Sequence, residues 1–140
     1  MERHFERELE ELKLNLIQMG KVVDDQIDMA YRALFEGNEG LALQVIAKDQ
    51  EVDAFDTLID TQCQRIFALS QPVAADLRLL MAALNINTQI ERIGDIAANV
   101  AERVPPLVAY KAFLQQTRIS DMAEIARVTG AKPDETPEQP

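Results

Sequence analysis

The chain predicts an all-α fold: an antiparallel three-helix bundle of up-down-up, spectrin-like topology, with a short fourth helical segment and a disordered C-terminal tail. Three observations carry this. Apolar residues recur at three-four spacing over very long stretches, the turn signals are few and sharp, and the 140 residues include no Trp and only five Gly. The β-branched alternation that would argue for strands is scarce.

The first helix is expected from Phe5 to Phe35. Phe5, Leu9, Leu12, Leu16, Met19, Val23, Ile27, Ala30 and Leu34 form its apolar stripe. Gly20 interrupts the stripe at a cost of about 1 kcal/mol against Ala without ending the helix. Gly37-Asn38-Glu39-Gly40 is the first clear turn, with Gly37 suited to a left-handed cap.

A second helix spans Leu41 to Leu69, with a bend expected near Asp49 and a core stripe of Val45, Val52, Phe55, Ile59, Cys63 and Ile66. Ser70-Gln71-Pro72 closes it, because Pro cannot continue a helix but is tolerated in the first turn of the next. The third helix runs from about Pro72 to Val104, with Asp76 in its opening turn, where the macrodipole favours an anion. Ile86, Ile90, Ile93, Ala97 and Val100 mark its expected buried stripe.

Pro105-Pro106 ends the third helix, and residues 105–128 form the weaker fourth segment, with a break expected at Ser120-Asp121. Residues 129–140 are polar and rich in Pro and Glu, the composition of a disordered tail. Residues 1–104 are therefore read as one repeat-sized bundle. Rods about 45 Å long at 1.5 Å per residue leave apolar surface open, so a homodimer is expected.

Net charge narrows the function. A balance of −10 disfavours nucleic-acid binding, which needs basic patches, and suits a protein that binds cations or docks on a basic partner. The single Cys63 permits no intramolecular disulfide and no zinc spacing, and reads as a small core residue in a reducing compartment. No secretion signal and no apolar run of about eighteen residues is visible, so the cytoplasm is expected, with no insertion into a membrane.

Two acidic features stand out. Asp49, Asp53, Asp56 and Asp60 are spaced four, three and four along the second helix, with no Lys or Arg between them. Like charges four apart cost about 0.2–0.5 kcal/mol per pair, so the row is mildly unfavourable unless something neutralises it. On the third helix, Glu91 and Asp95 share one face, turned away from the expected core stripe. A solvated charged face is the plain reading of either set. Two neighbouring helices carrying such sets suggest all-oxygen binding of a hard cation such as Mg²⁺, Ca²⁺, Mn²⁺ or ferric iron.

The Glu-x-x-His pairs of di-iron bundles are missing from the sequence, and His4 reads as a surface residue. No nucleophile-base pair, phosphate loop or nucleotide motif occurs, and Ser70 reads as a helix cap. The chain is not expected to be an enzyme. A metal-dependent hydrolase using bridging carboxylates is the distant alternative.

Glu91-Arg92-Ile93-Gly94-Asp95, followed by Ile96-Ala97-Ala98-Asn99-Val100, resembles the signature of the PhoU family of phosphate-signalling regulators. Gln71-Pro72-Val73-Ala74-Ala75-Asp76-Leu77-Arg78, the aspartate row of the second helix, and Met19-Gly20 are similar to further family patterns, over roughly residues 4–104. The resemblance implies a three-helix repeat, normally present twice. Its Glu/Asp-x-x-x-Asp motifs hold iron, zinc or other metals on the surface, with magnesium or manganese also suited to oxygen ligands.

Carried over, the metal residues are Asp56, Asp60, Glu91 and Asp95, with Asp49 and Asp53 as a weaker pair. The implied role is a cytoplasmic negative regulator of phosphate uptake. It would contact the ATPase subunit of the Pst phosphate transporter and the PhoR sensor kinase, reaching the membrane only through these partners. A metal-free helical interaction module of the same fold is the alternative. The chain departs from the family in having no second Glu-Arg-Ile-Gly-Asp, so it is expected to be either a one-repeat member or a truncated one, with residues 105–128 read as the remnant of a second repeat, and a homodimer would rebuild the two-repeat surface.

Overall fold

Four helices follow one another with short connections: α1 (Glu2–Glu36), α2 (Glu39–Ser70), α3 (Ala74–Glu102) and α4 (Val104–Thr129). They are seen in a computed structural model that describes the backbone of residues 2–130 and the side chains of residues 4–130. The tail expected at 129–140 falls largely outside the described residues; Thr129 itself ends α4. The chain divides into two compact units, one ending at Val104 and the other beginning at Pro105.

In the first unit α1, α2 and α3 all pack on one another. Gly37 adopts the left-handed φ of 66° that ends α1. Asn38 then caps α2, its side-chain oxygen accepting from the Leu41 N–H at 3.0 Å. Gln71, in a left-handed conformation, terminates α2. Ser70 is the last residue of α2 rather than a cap for α3, whose N-cap is Val73, without a side-chain hydrogen bond. Helix α2 runs unbroken through Asp49.

Leu12, Met19, Val23, Val52, Ile59, Cys63, Ile66 and Leu80 make the core. Cross-links give the register: Asn15 Nδ2 donates to Gln62 Oε1 at 2.8 Å, and Gln26 Nε2 donates to the Val45 carbonyl at 3.2 Å. The half-exposed Arg65 reaches the buried Glu8 at 3.4 Å, and His4 lies at the same distance from it. These pairings run α1 and α2 antiparallel; Asn87 against Asp56 and Gly94 against Val52 run α3 antiparallel to α2, and so parallel to α1.

The expected stripes need two corrections. Ile27 and Leu34 on α1 are exposed, and Gln26 and Ala33 take the buried positions beside them. On α3, Ile86 and Ile93 are 48% and 43% exposed, while Ala83, Asn87, Gly94, Ala97, Ala98 and Ala101 are buried. A helix in a three-helix bundle buries a narrow arc, and small residues at its centre let the backbones approach closely. The large side chains are thereby displaced to the flank.

In the second unit α4 is continuous, with no break at Ser120-Asp121. Pro105 and Pro106 occupy its first turn, where a missing N–H costs nothing, so they open a helix as well as following one. Its apolar side chains, among them Tyr110, Phe113, Ile119 and Ile125, are exposed.

Candidate functional site: an acidic row across two helices

The carboxylates on α2 and α3 face one another across the seam between the two helices. Their position is set by Gly94. A Cβ built at Gly94 would meet Gln26 Oε1 at 3.1 Å, Val52 Cγ1 at 3.3 Å and Val23 Cγ2 at 3.4 Å. A side chain there would force these neighbours to give by a few tenths of an ångström, so the bare glycine suits the close approach of α3 to α1 and α2. The residues on either side of it, Glu91 and Asp95, are thereby carried up to α2.

Burial pushes the Glu91 carboxyl above the usual range, followed by a hydrogen bond shared with Asp95 and repulsion from Asp95, Asp56 and Asp53. Asp49 is raised in the same direction: burial first, then repulsion from Asp53 and Asp95, with Glu102 adding a smaller push and the Gln26 amide opposing it. Asp49, Asp53, Asp56, Glu91 and Asp95 thus form one electrostatic neighbourhood. None of them takes part in a salt bridge among the described residues.

Asp60 has different company. Its Oδ2 accepts from Gln64 Nε2 at 3.0 Å, and its charge helps push the Cys63 thiol up to about 11, chiefly a burial effect. It is not among the groups acting on Glu91 or Asp49. Cys63 is a buried free thiol, and His4 lies in the opening turns of α1.

Three residues of the row escaped the reading from sequence. Asn87, 3% exposed, donates Nδ2 to Asp56 Oδ1 at 2.7 Å, orienting the carboxylate that faces Glu91. Gln26, 0% exposed, sits beneath Asp49 and joins all three helices. Glu102 extends the row past Asp95. A signal for the first two was present: both are polar residues spaced three or four from apolar ones on the buried stripes, positions that demand a partner.

Buried oxygens of Asp49, Gln26 and Asn87 have no hydrogen-bond partner. The donor set is all oxygen, which fits a hard cation such as magnesium or manganese better than a soft one. Yet among the described residues no three Asp, Glu, His or Cys side chains converge as a ready-made metal-holding group. The arrangement offers carboxylates in pairs, suited to a hydrated ion that keeps part of its water shell.

This acidic row on closely packed helices coincides with a family pattern: the model of the PhoU domain matches residues 16–104. The chain belongs to the PhoU family. A phosphate-specific transport system accessory protein PhoU homolog of Aquifex aeolicus is 40% identical over 121 residues, 86% of this chain and 55% of that protein. The Escherichia coli K12 accessory protein PhoU is 36% identical over 112 residues, 80% of this chain and 44% of that one.

The crystal structure of PhoU from Pseudomonas aeruginosa superposes with a TM-score of 0.73 at 33% identity, covering 93% of this chain and 66% of that one. The chain thus spans about half the length of the curated PhoU relatives it matches. Among the described residues no helix is long and apolar enough to cross a membrane.

Proposed function

We propose that this chain is a non-enzymatic accessory protein of phosphate transport that restrains uptake and the phosphate-starvation response. In this reading it works in the cytoplasm, as a homodimer that docks on the ATPase subunit of the Pst transporter and on the PhoR sensor kinase. Family membership supports the accessory role, since the matched relatives carry that description. The observation that carries the mechanism is the unneutralised acidic row along the α2–α3 seam, with Glu91 and Asp49 held above their ordinary range.

Such a row is under mutual repulsion, and anything cationic laid along it is attracted. Metal cations would be held by Asp49, Asp53, Asp56, Glu91 and Asp95, with Asp60 at the edge of the set. The candidates are magnesium and manganese, with iron and zinc implied by the family resemblance. A bound cation supplies positive charge there. The chain's own part is to hold the acids in place through Gly94 and Asn87, and to present two rigid helices as a docking face.

The lack of a converged trio among the described residues favours a second reading, in which basic side chains of a partner meet the row directly. Elemental analysis after dialysis separates the two. Retained metal that is lost in Asp53→Asn plus Asp95→Asn supports the first; a metal-free chain that still captures the ATPase subunit supports the second. For the regulatory role, the chain is expressed in a bacterium lacking its own PhoU, with a reporter of starvation genes. Repression at high phosphate is expected, and a well-folded chain that leaves the reporter on would sink the role.

A further inference from the structure

Gln26 belongs to α1 yet lies beneath the acidic row of the other two helices. It falls in the buried arc of α1, between Val23 and Ala30, and is 0% exposed. Its Nε2 donates to the Val45 carbonyl at 3.2 Å, one turn of α2 before Asp49. The same amide stands near enough to the Asp49 carboxyl to oppose the upward push on its pKa. The Gln26 Oε1 is buried without a hydrogen-bond partner. It faces Gly94, where an added Cβ would come within 3.1 Å, in the turn of α3 that carries Glu91 and Asp95.

Packing does not account for an amide at this position. Met, of similar length, fills such a space without desolvating polar atoms, and a buried carbonyl oxygen without a donor is a standing cost. The Val45 carbonyl does not need the bond, since it lies inside the unbroken ladder of α2. Where buried amides set helix register, each satisfies the other, as Asn15 and Gln62 do at 2.8 Å. Gln26 instead shares an arrangement with Asn87, which is 3% exposed, donates to Asp56 and also leaves its Oδ1 unpartnered. Asp49 and Asp56 lie two turns apart on one side of α2, and each stands over a buried amide supplied by a different helix. Asp60, a turn further on, has the exposed pairing with Gln64 instead.

We propose that Gln26 is a positioning residue for cation binding, holding the Asp49 carboxylate from below so that Asp49, rather than Asp60, is the α2 acid that works with Asp95. This rests on the cation reading of the proposed function and deepens it, assigning a side chain that itself touches no ion. Asp95 is among the charges that act on Asp49, and Asp60 is not. The positive end of the amide dipole serves Asp49, while its negative end adds to the acids of α3, a placement that a positive charge in the row relieves. An outer hydrogen bond of this kind acts through the ligand that it orients.

Calorimetric titration of Mn²⁺ into the full, metal-stripped chain tests it, with circular dichroism as the control for folding. The wild type binds the ion. Gln26→Met lowers the affinity about ten- to hundredfold, and Asp60→Asn changes it by less than about threefold. Added to Asp49→Asn, Gln26→Met has an effect under about twofold, because the amide acts through that acid. A Gln26→Met chain that binds as the wild type does, or that loses as much again on the Asp49→Asn background, overturns the role. Should Gln26→Met fail to fold, the wild type decides by heteronuclear NMR. Mg²⁺ is expected to shift the Gln26 side-chain amide and leave those of Asn15 and Gln62 in place; an unmoved Gln26 amide overturns the role. A wild type that binds neither ion overturns the cation reading itself, and this role with it.

Discussion

Asn87 and Asp56 join α3 to α2 at 2.7 Å, side chain to side chain, and the Asn87 amide also approaches the Asp56 carbonyl at 3.4 Å. The contact fixes the helix pair at the middle of the acidic row. It also gives the Asp56 carboxylate a donor where its other neighbours repel it. Asn87→Ala is expected to cost about 1 kcal/mol, because the half-buried Asp56 carboxylate loses its donor. Asn87→Asp should cost more, by setting a further carboxylate against Asp56. Urea unfolding measures both; an Asp variant as stable as the wild type would refute the account.

Two helical glycines predict opposite outcomes. At Gly94 the added methyl of Gly94→Ala meets Gln26, Val52 and Val23 at 3.1–3.4 Å. The overpacking, about 1–3 kcal/mol, offsets or exceeds the roughly 1 kcal/mol gained in helix propensity. At Gly20 nothing lies within 4 Å of the new atom, so Gly20→Ala should stabilise by about 0.5–1 kcal/mol. Thermal unfolding of the two variants side by side is the check, and the order of their melting temperatures decides.

The acidic row makes stability depend on pH in a stated direction. Glu91 has its folded-state pKa raised above the unfolded value of 4.5, so the folded chain binds this proton more tightly. Its contribution is fully present below 4.5 and is lost as pH rises through the folded value. At neutral pH the ionised carboxylate is therefore a net cost, small because the group is partly solvated. Glu91→Gln should raise the melting temperature at pH 7, and the difference from wild type should shrink as pH falls toward about 5. An equal difference at both pH values would contradict the shift.

Cys63 is buried in the core and its thiol is pushed up to about 11, so almost no thiolate is present near neutrality. A thiol reagent at pH 8 should react only as fast as the chain opens, and at full speed in denaturant. Immediate labelling of the native chain would show that the thiol is not enclosed as described.

Much of this was legible along the chain. The positions of Gly37, Gln71-Pro72 and Pro105-Pro106 set the helix ends to within a few residues, because turn chemistry is local. Asp49, Asp53, Asp56, Glu91 and Asp95 were visible as spaced acids, because helical periodicity depends only on sequence separation. Asn87 and Gln26 were passed over, since their importance comes from what lies across the seam. Asp60 belongs to the same spacing as its neighbours, and only the partners around it set it apart.

By itself, then, the sequence determined that the chain is helical, where the helices turn, and that two of them carry rows of acid. The tertiary structure decided which side of each helix is inside. Gly94 and the alanines of α3 take the centre, and Ile86 and Ile93 are left on the flank. The physical reason is that hydrophobicity is a property of single residues, whereas close packing of three rods is a property of their shapes together.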